Sequence, residues 1–204
     1  MAVLVLAAAL GAASARDMSV SNSNIRVTWS SFEFETAVTT ARCQLTLEGS
    51  YHRGTISKVR GTLIASISRA TVKTESCTNA RPTTEGLPWH ITYEGFRGTL
   101  PSMTEVLLLL REARLKLERV IGSSLECRYG VASDNITSAA VLNASRENTN
   151  LVPLAGRSTI SLLEARNEEL FLRCSATGQF IAASNDGLVR LLNSATTLIR
   201  VTLI

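Results

Sequence analysis

Leu87-Pro88-Trp89-His90-Ile91-Thr92-Tyr93-Glu94-Gly95-Phe96-Arg97-Gly98-Thr99-Leu100-Pro101 is the stretch on which the fold turns. It carries one of the two tryptophans, one of the two histidines and two of the four prolines. Trp89, Ile91 and Tyr93 alternate with His90, Thr92 and Glu94, the period of two expected of a strand with one buried face. Leu-Pro pairs bracket the run, and Gly95 and Gly98 loosen the backbone around Phe96. The stretch reads as a core strand with proline-defined ends. His90, Glu94 and Phe96 form its outward part.

The same period recurs on either side. Ile25, Val27 and Trp29 alternate, then Phe32 and Phe34 resume after Ser30-Ser31, which predicts a strand with a break or bulge. Cys43 to Leu47 predicts a second strand, ended by Gly49-Ser50, and the run from Lys58 to Val72 is β-compatible. Leu125 to Gly130 is a short strand. Ser158–Leu163, Leu170–Cys174, Gln179–Ala183, Leu188–Leu192 and Thr197–Ile204 are short apolar segments, several of them separated by Gly, Ser or Asn. Thr74 to Gly86, with Cys77, Pro82 and little apolar content, reads as a surface loop. Many short strands at this spacing indicate an all-β fold, an antiparallel sandwich or barrel-like domain.

The segment 104–120 admits two readings. Val106, Leu110, Ala113, Leu117 and Val120 share a helical face, and Ser102-x-x-Glu105 has the form of a capping box. As strands, Val106, Leu108 and Leu110 make one run and Leu115 and Leu117 another, turning at 111–113. That turn lacks the Gly or Asn usual in a tight hairpin, so local evidence alone favours the helix.

At the N-terminus, Ala2 to Leu10 is apolar and is followed by Ala13-Ser14-Ala15. This is the pattern of a cleavable secretory peptide, without the usual basic start. The expected organisation is a leader at 1–15, a flexible lead-in at 16–24 and one domain over 25–204. No later segment has the length or purity of a transmembrane helix, so no membrane anchor is expected in the mature chain. Cys43, Cys77, Cys127 and Cys174 form an even set without CxxC spacing, which in an exported chain reads as two disulfides. Cys43 and Cys127 sit at inward positions of alternating runs, and buried cysteines on adjacent strands can bridge when their Cα atoms lie within about 7 Å. The expected pairs are therefore Cys43–Cys127 and Cys77–Cys174, with four free, buried thiols as the alternative. Asn135-Ile-Thr137 and Asn143-Ala-Ser145 have the form of glycosylation sequons.

The net charge is +4, but arginine is spread along the chain and lysine occurs only at Lys58, Lys73 and Lys116. With no basic stripe and no recognition motif, a nucleic-acid partner is not expected.

The sequence also resembles a group of uncharacterised exported proteins of high-GC Gram-positive bacteria. The residues that carry the likeness are Cys43-x-Leu-Thr-Leu-Glu-Gly-Ser50, His52, Thr55-Ile56, Lys58-Val59 and Gly61-Thr-Leu-Ile64. They continue with Leu87-Pro-Trp-His-Ile-Thr-Tyr93, Phe96, Gly98-Thr-Leu-Pro101, Cys127-x-Tyr129 and Val201-Thr-Leu-Ile204. The resemblance implies an all-β fold with a strand after the second Leu-Pro, and implies no activity. A glycine turn is usual in that pattern near Glu112 and is missing here. With β-rich surroundings, the strand reading of 104–120 is preferred, leaving room for one short helix in the domain.

Imidazole near neutral pH can come only from His52 and His90. Converging with Glu48 or Glu94, they could make a metal or acid–base site. Trp29, Trp89, Tyr93 and Phe96 could stack on a sugar, although core packing is the ordinary role of aromatics so scarce in a chain. No G-x-S-x-G elbow is present, and no cofactor is indicated. The expected protein is a secreted, non-catalytic domain that binds a cell-envelope or extracellular component or is structural. A carbohydrate- or small-ligand-binding module and a hydrolase with a histidine-centred site are the alternatives. Candidate site residues are His90, Glu94, Phe96 and His52.

Overall fold

The computed structural model describes residues 17–37, 39–99, 102–119, 125–131, 139–144, 149–153, 156–166, 174–182, 189–191 and 200–203. The leader at 1–15 and the Asn135 sequon lie outside them. In chain order the strands are β1 (Met18–Val20), β2 (Asn24–Thr36), β3 (Thr40–Tyr51), β4 (Thr55–Ile56) and β5 (Leu63–Lys73), then a short 3-10 turn at Thr74–Ser76. They continue as β6 (Ala80–Glu85), β7 (Trp89–Thr99), β8 (Ser102–Arg111), β9 (Arg114–Arg119), β10 (Glu126–Gly130) and β11 (Ala139–Ala144). The last are β12 (Thr149–Pro153), β13 (Gly156–Arg166), β14 (Thr177–Ala182), β15 (Val189–Leu191) and β16 (Arg200–Leu203). The protein is all-β, and every strand pair among the described residues is antiparallel. Within the expected lead-in, Met18–Val20 is a strand paired with β16 and β4, and Met18 is fully buried.

Alternation builds the walls. Ile25, Val27 and Trp29 of β2 point inward, the register shifts between Trp29 and Phe32, and Phe34 returns to the interior. Ala41, Cys43, Leu45 and Leu47 of β3 face them. The strand does not end at Gly49 but runs through it. A Cβ there would lie 2.1 Å from the Ser66 carbonyl oxygen, so only glycine admits the β5 backbone at that point. Phe34 packs edge-on against Tyr129 at 5.2 Å and lies tilted to Phe180 at 5.7 Å, and Phe32 lies 5.7 Å from Phe180. These ring pairs join β2, β10 and β14 across the interior.

The strand reading of 104–120 holds. β8 and β9 are separate strands, and Glu112 takes the left-handed conformation (φ 61°) at the corner between them. The segment 74–86 departs from expectation, because its second half is β6, laddered to β9 from Ala80↔Arg119 to Glu85↔Arg114. Its inward residues include Ala80 and Pro82, too weak an apolar signal to read as a strand.

The strand order along the sheet is β4-β1-β16-β12-β11-β8-β7-β5-β3-β2-β14-β13-β10-β9-β6, with β15 also on β2. The sheet curls until β6 returns to β5 and β3. There Thr84 Oγ1 donates to the Ala70 carbonyl at 2.6 Å. The Thr78 N–H donates to the Arg42 carbonyl at 3.1 Å, and Asn79 Nδ2 donates to the Thr40 carbonyl at 3.1 Å. The ring β2-β3-β5-β6-β9-β10-β13-β14 is thus barrel-like, while β7 and β8 branch from it and cover the interior with Trp89, Ile91 and Leu108.

The disulfides are Cys43–Cys77 and Cys127–Cys174, not the expected pairs. Cys43 and Cys127 do face inward, but β2, β14 and β13 stand between their strands, so each bridges to a cysteine outside the strands instead.

Candidate functional site

Two features merit comparison: the interior of the barrel and the outer face that carries the histidines. The interior holds a cavity of about 90 Å³. Trp29, Phe34, Trp89, Leu108, Leu115 and Phe180 contribute to its lining, and among the described residues no charged side chain does. Alternation makes this lining: residues of one parity from β2, β3, β7, β8 and β9 project to a common centre that their volumes do not quite fill. A dry apolar cavity of about 150 Å³ is known to take benzene or xenon, so this space suits one molecule of about that size or smaller. An ionised ligand would lose its hydration there without a partner charge.

The outer face lies where β7 leaves β5. Ser66 stands directly opposite His90, and His90 directly opposite Arg111. His52 Nε2 and Ser66 Oγ share a hydrogen bond of 2.8 Å. His90 Nδ1 donates to Glu112 Oε2 at 2.8 Å, from the corner residue with the left-handed backbone. Arg111 Nε donates to Thr92 Oγ1 at 3.1 Å. Both histidines therefore reach the same sheet face, where Ser66 bonds His52 and stands across from His90.

The expected carboxylates are engaged elsewhere. Glu48 is paired with Arg26 at 2.7 Å and with Arg69 at 3.7 Å, and Glu94 is paired with Arg60. Glu112 is the carboxylate that the sequence reading missed. It follows β8 in the chain, and only the corner brings it to β7, a proximity that residue spacing does not encode. Phe96 lies within β7 opposite Val106 and is 36% exposed, whereas Trp29, Trp89 and Tyr93 are buried. The four aromatics do not form a common exposed platform.

The histidine face supplies a hydroxyl, two imidazoles and a carboxylate. His90 is 34% and Glu112 50% exposed, and neither histidine lines the cavity. General acid–base catalysis gains most where water is excluded, and this face is open to solvent. Among the described residues, no group of three or more His, Cys, Asp or Glu is placed to hold a metal ion. Also among them, no helix is long and apolar enough to cross a membrane.

No protein-family model, curated protein or solved structure matches the chain.

Proposed function

We propose that this is an exported, non-catalytic binding domain that holds a small, uncharged apolar molecule inside its curled sheet. The observation that carries the reading is the uncharged cavity of about 90 Å³ at the centre of a disulfide-braced barrel. Convergent apolar linings are the usual form of small-molecule sites. Export is supported by the two disulfides, which persist in oxidising compartments, and by the leader pattern at 1–15. The likeness to exported proteins of high-GC Gram-positive bacteria belongs to the same reading, which puts the protein at the extracellular side of the cell envelope or beyond it. Burial of Trp29, Trp89 and Tyr93 favours an interior ligand over a sugar stacked on the surface.

Fluorine NMR with fluorobenzene tests the reading. The oxidised wild-type protein should bind this probe and leave fluorobenzoate free. Ala41→Leu, which adds bulk to a residue of the lining, should weaken binding about tenfold or more. Absence of fluorobenzene binding, or equal binding of the charged analogue, would end the proposal.

A further inference from the structure

We infer that the cavity fills through the seam between β5 and β6, and that the Cys43–Cys77 disulfide latches this seam. The inference rests on the cavity being a ligand site. Around the barrel, β2–β3, β3–β5, β6–β9, β9–β10, β10–β13, β13–β14 and β14–β2 are joined by main-chain ladders. Among the described residues, β5 and β6 are joined by none. Their junction carries the Thr84 Oγ1 bond to the Ala70 carbonyl, and Pro82 on β6 has no N–H to offer a neighbour.

The seam also borders the cavity. Val72 of β5, Pro82 of β6 and Cys43 of β3 all contribute to the lining. Parting any laddered pair breaks a row of main-chain hydrogen bonds, whereas parting β5 from β6 breaks no such row. Local opening follows the path with fewest bonds to break, so this junction is where the wall yields first. What limits the yield is the segment just before β6. Cys77 is bonded to Cys43, Thr78 donates to the Arg42 carbonyl and accepts from the Arg42 N–H at 3.2 Å, and Asn79 reaches the Thr40 carbonyl. The disulfide is the one covalent member of this set, and it fixes the leading end of β6 to β3. Cys127–Cys174 has no such place, since neither of its cysteines lines the cavity.

Saturation-transfer fluorine NMR on the full chain measures how fast bound fluorobenzene exchanges. Cys43→Ala with Cys77→Ser should speed exchange about tenfold or more. Thr84→Val, which removes the seam hydrogen bond and leaves the disulfide, should speed it about threefold. Cys127→Ser with Cys174→Ser should leave it within about twofold. Equal acceleration by both disulfide variants, or none by Cys43→Ala with Cys77→Ser, would overturn the inference. If that double variant does not fold, unchanged exchange in Thr84→Val overturns it by itself. A wild-type protein that binds no probe would remove the cavity reading and the seam together. Bound probe with exchange indifferent to the seam would remove the seam alone.

Discussion

Gly49 and Tyr51 show how tightly single positions are set. At Gly49 the nearest backbone atoms to an added Cβ are the Ser66 oxygen at 2.1 Å and the Ile67 Cα at 2.9 Å, neither of which can rotate away. Gly49→Ala should therefore cost about 3 kcal/mol in urea-denaturation experiments, by forcing β3 and β5 apart. Tyr51 is buried, and its hydroxyl has no hydrogen-bond partner among the described residues. Burial pushes that hydroxyl well above its ordinary value of 10.0. Because the raised pKa belongs to the folded state, the associated stability is complete below the unfolded pKa and is lost as pH rises above it. Tyr51→Phe should raise stability by about 1 kcal/mol at neutral pH. It should also flatten the alkaline loss, which denaturation series on either side of pH 10 would read. A variant that was less stable at neutral pH would contradict this account.

At the scale of elements, charge pairing organises the outer face of β9, β10 and β13. Arg128 on β10 reaches Glu126 at 3.0 Å, Glu164 at 3.1 Å and Glu85 at 3.6 Å. Glu164 is held below its ordinary carboxylate value, first by the hydrogen bond from Arg166 and further by the charges of Arg166 and Arg128. Since its folded pKa is the lowered one, the stabilisation is present above the unfolded carboxylate pKa and fades as pH falls through the folded value. Arg128→Ala should lower stability by about 1 kcal/mol at low salt and by less at high salt. Thermal melts at both ionic strengths check this, and an effect independent of salt would point to lost packing instead. The β8–β9 pair explains why 104–120 could be read as a helix. Its inward residues run at every second position up to Leu110 and resume at Ala113, Leu115 and Leu117 after a slip at the corner. The subset Val106, Leu110, Ala113, Leu117 then mimics helical spacing. The slip needs a left-handed residue, and Glu112 fills that role without glycine.

Across the whole molecule, the disulfides close chain segments of sequence separation 34 and 47. The chain-entropy relation assigns each about 4 kcal/mol of stabilisation. Cys127→Ser with Cys174→Ser should lower the unfolding free energy by about that amount, and non-reducing peptide mapping should recover only Cys43–Cys77 and Cys127–Cys174 peptides. A Cys43–Cys127 peptide would contradict the strand order. Much was determined by the sequence alone: the all-β class, the inward set of Trp89, Ile91 and Tyr93, the bulge after Trp29, and strands over 104–120 once the surroundings were weighed. All but the last follow from local periodicity, which each strand carries within its own residues. Tertiary structure decided what depends on which strands become neighbours. It recruited β6 as a wall, separated Cys43 from Cys127, gave His90 its partner in Glu112, and left an unladdered seam beside an apolar cavity. Side-chain parity says which face of a strand is buried, but not which strand lies opposite. Pairing order arises from the curl of the entire sheet, and it is not written in any single stretch of it.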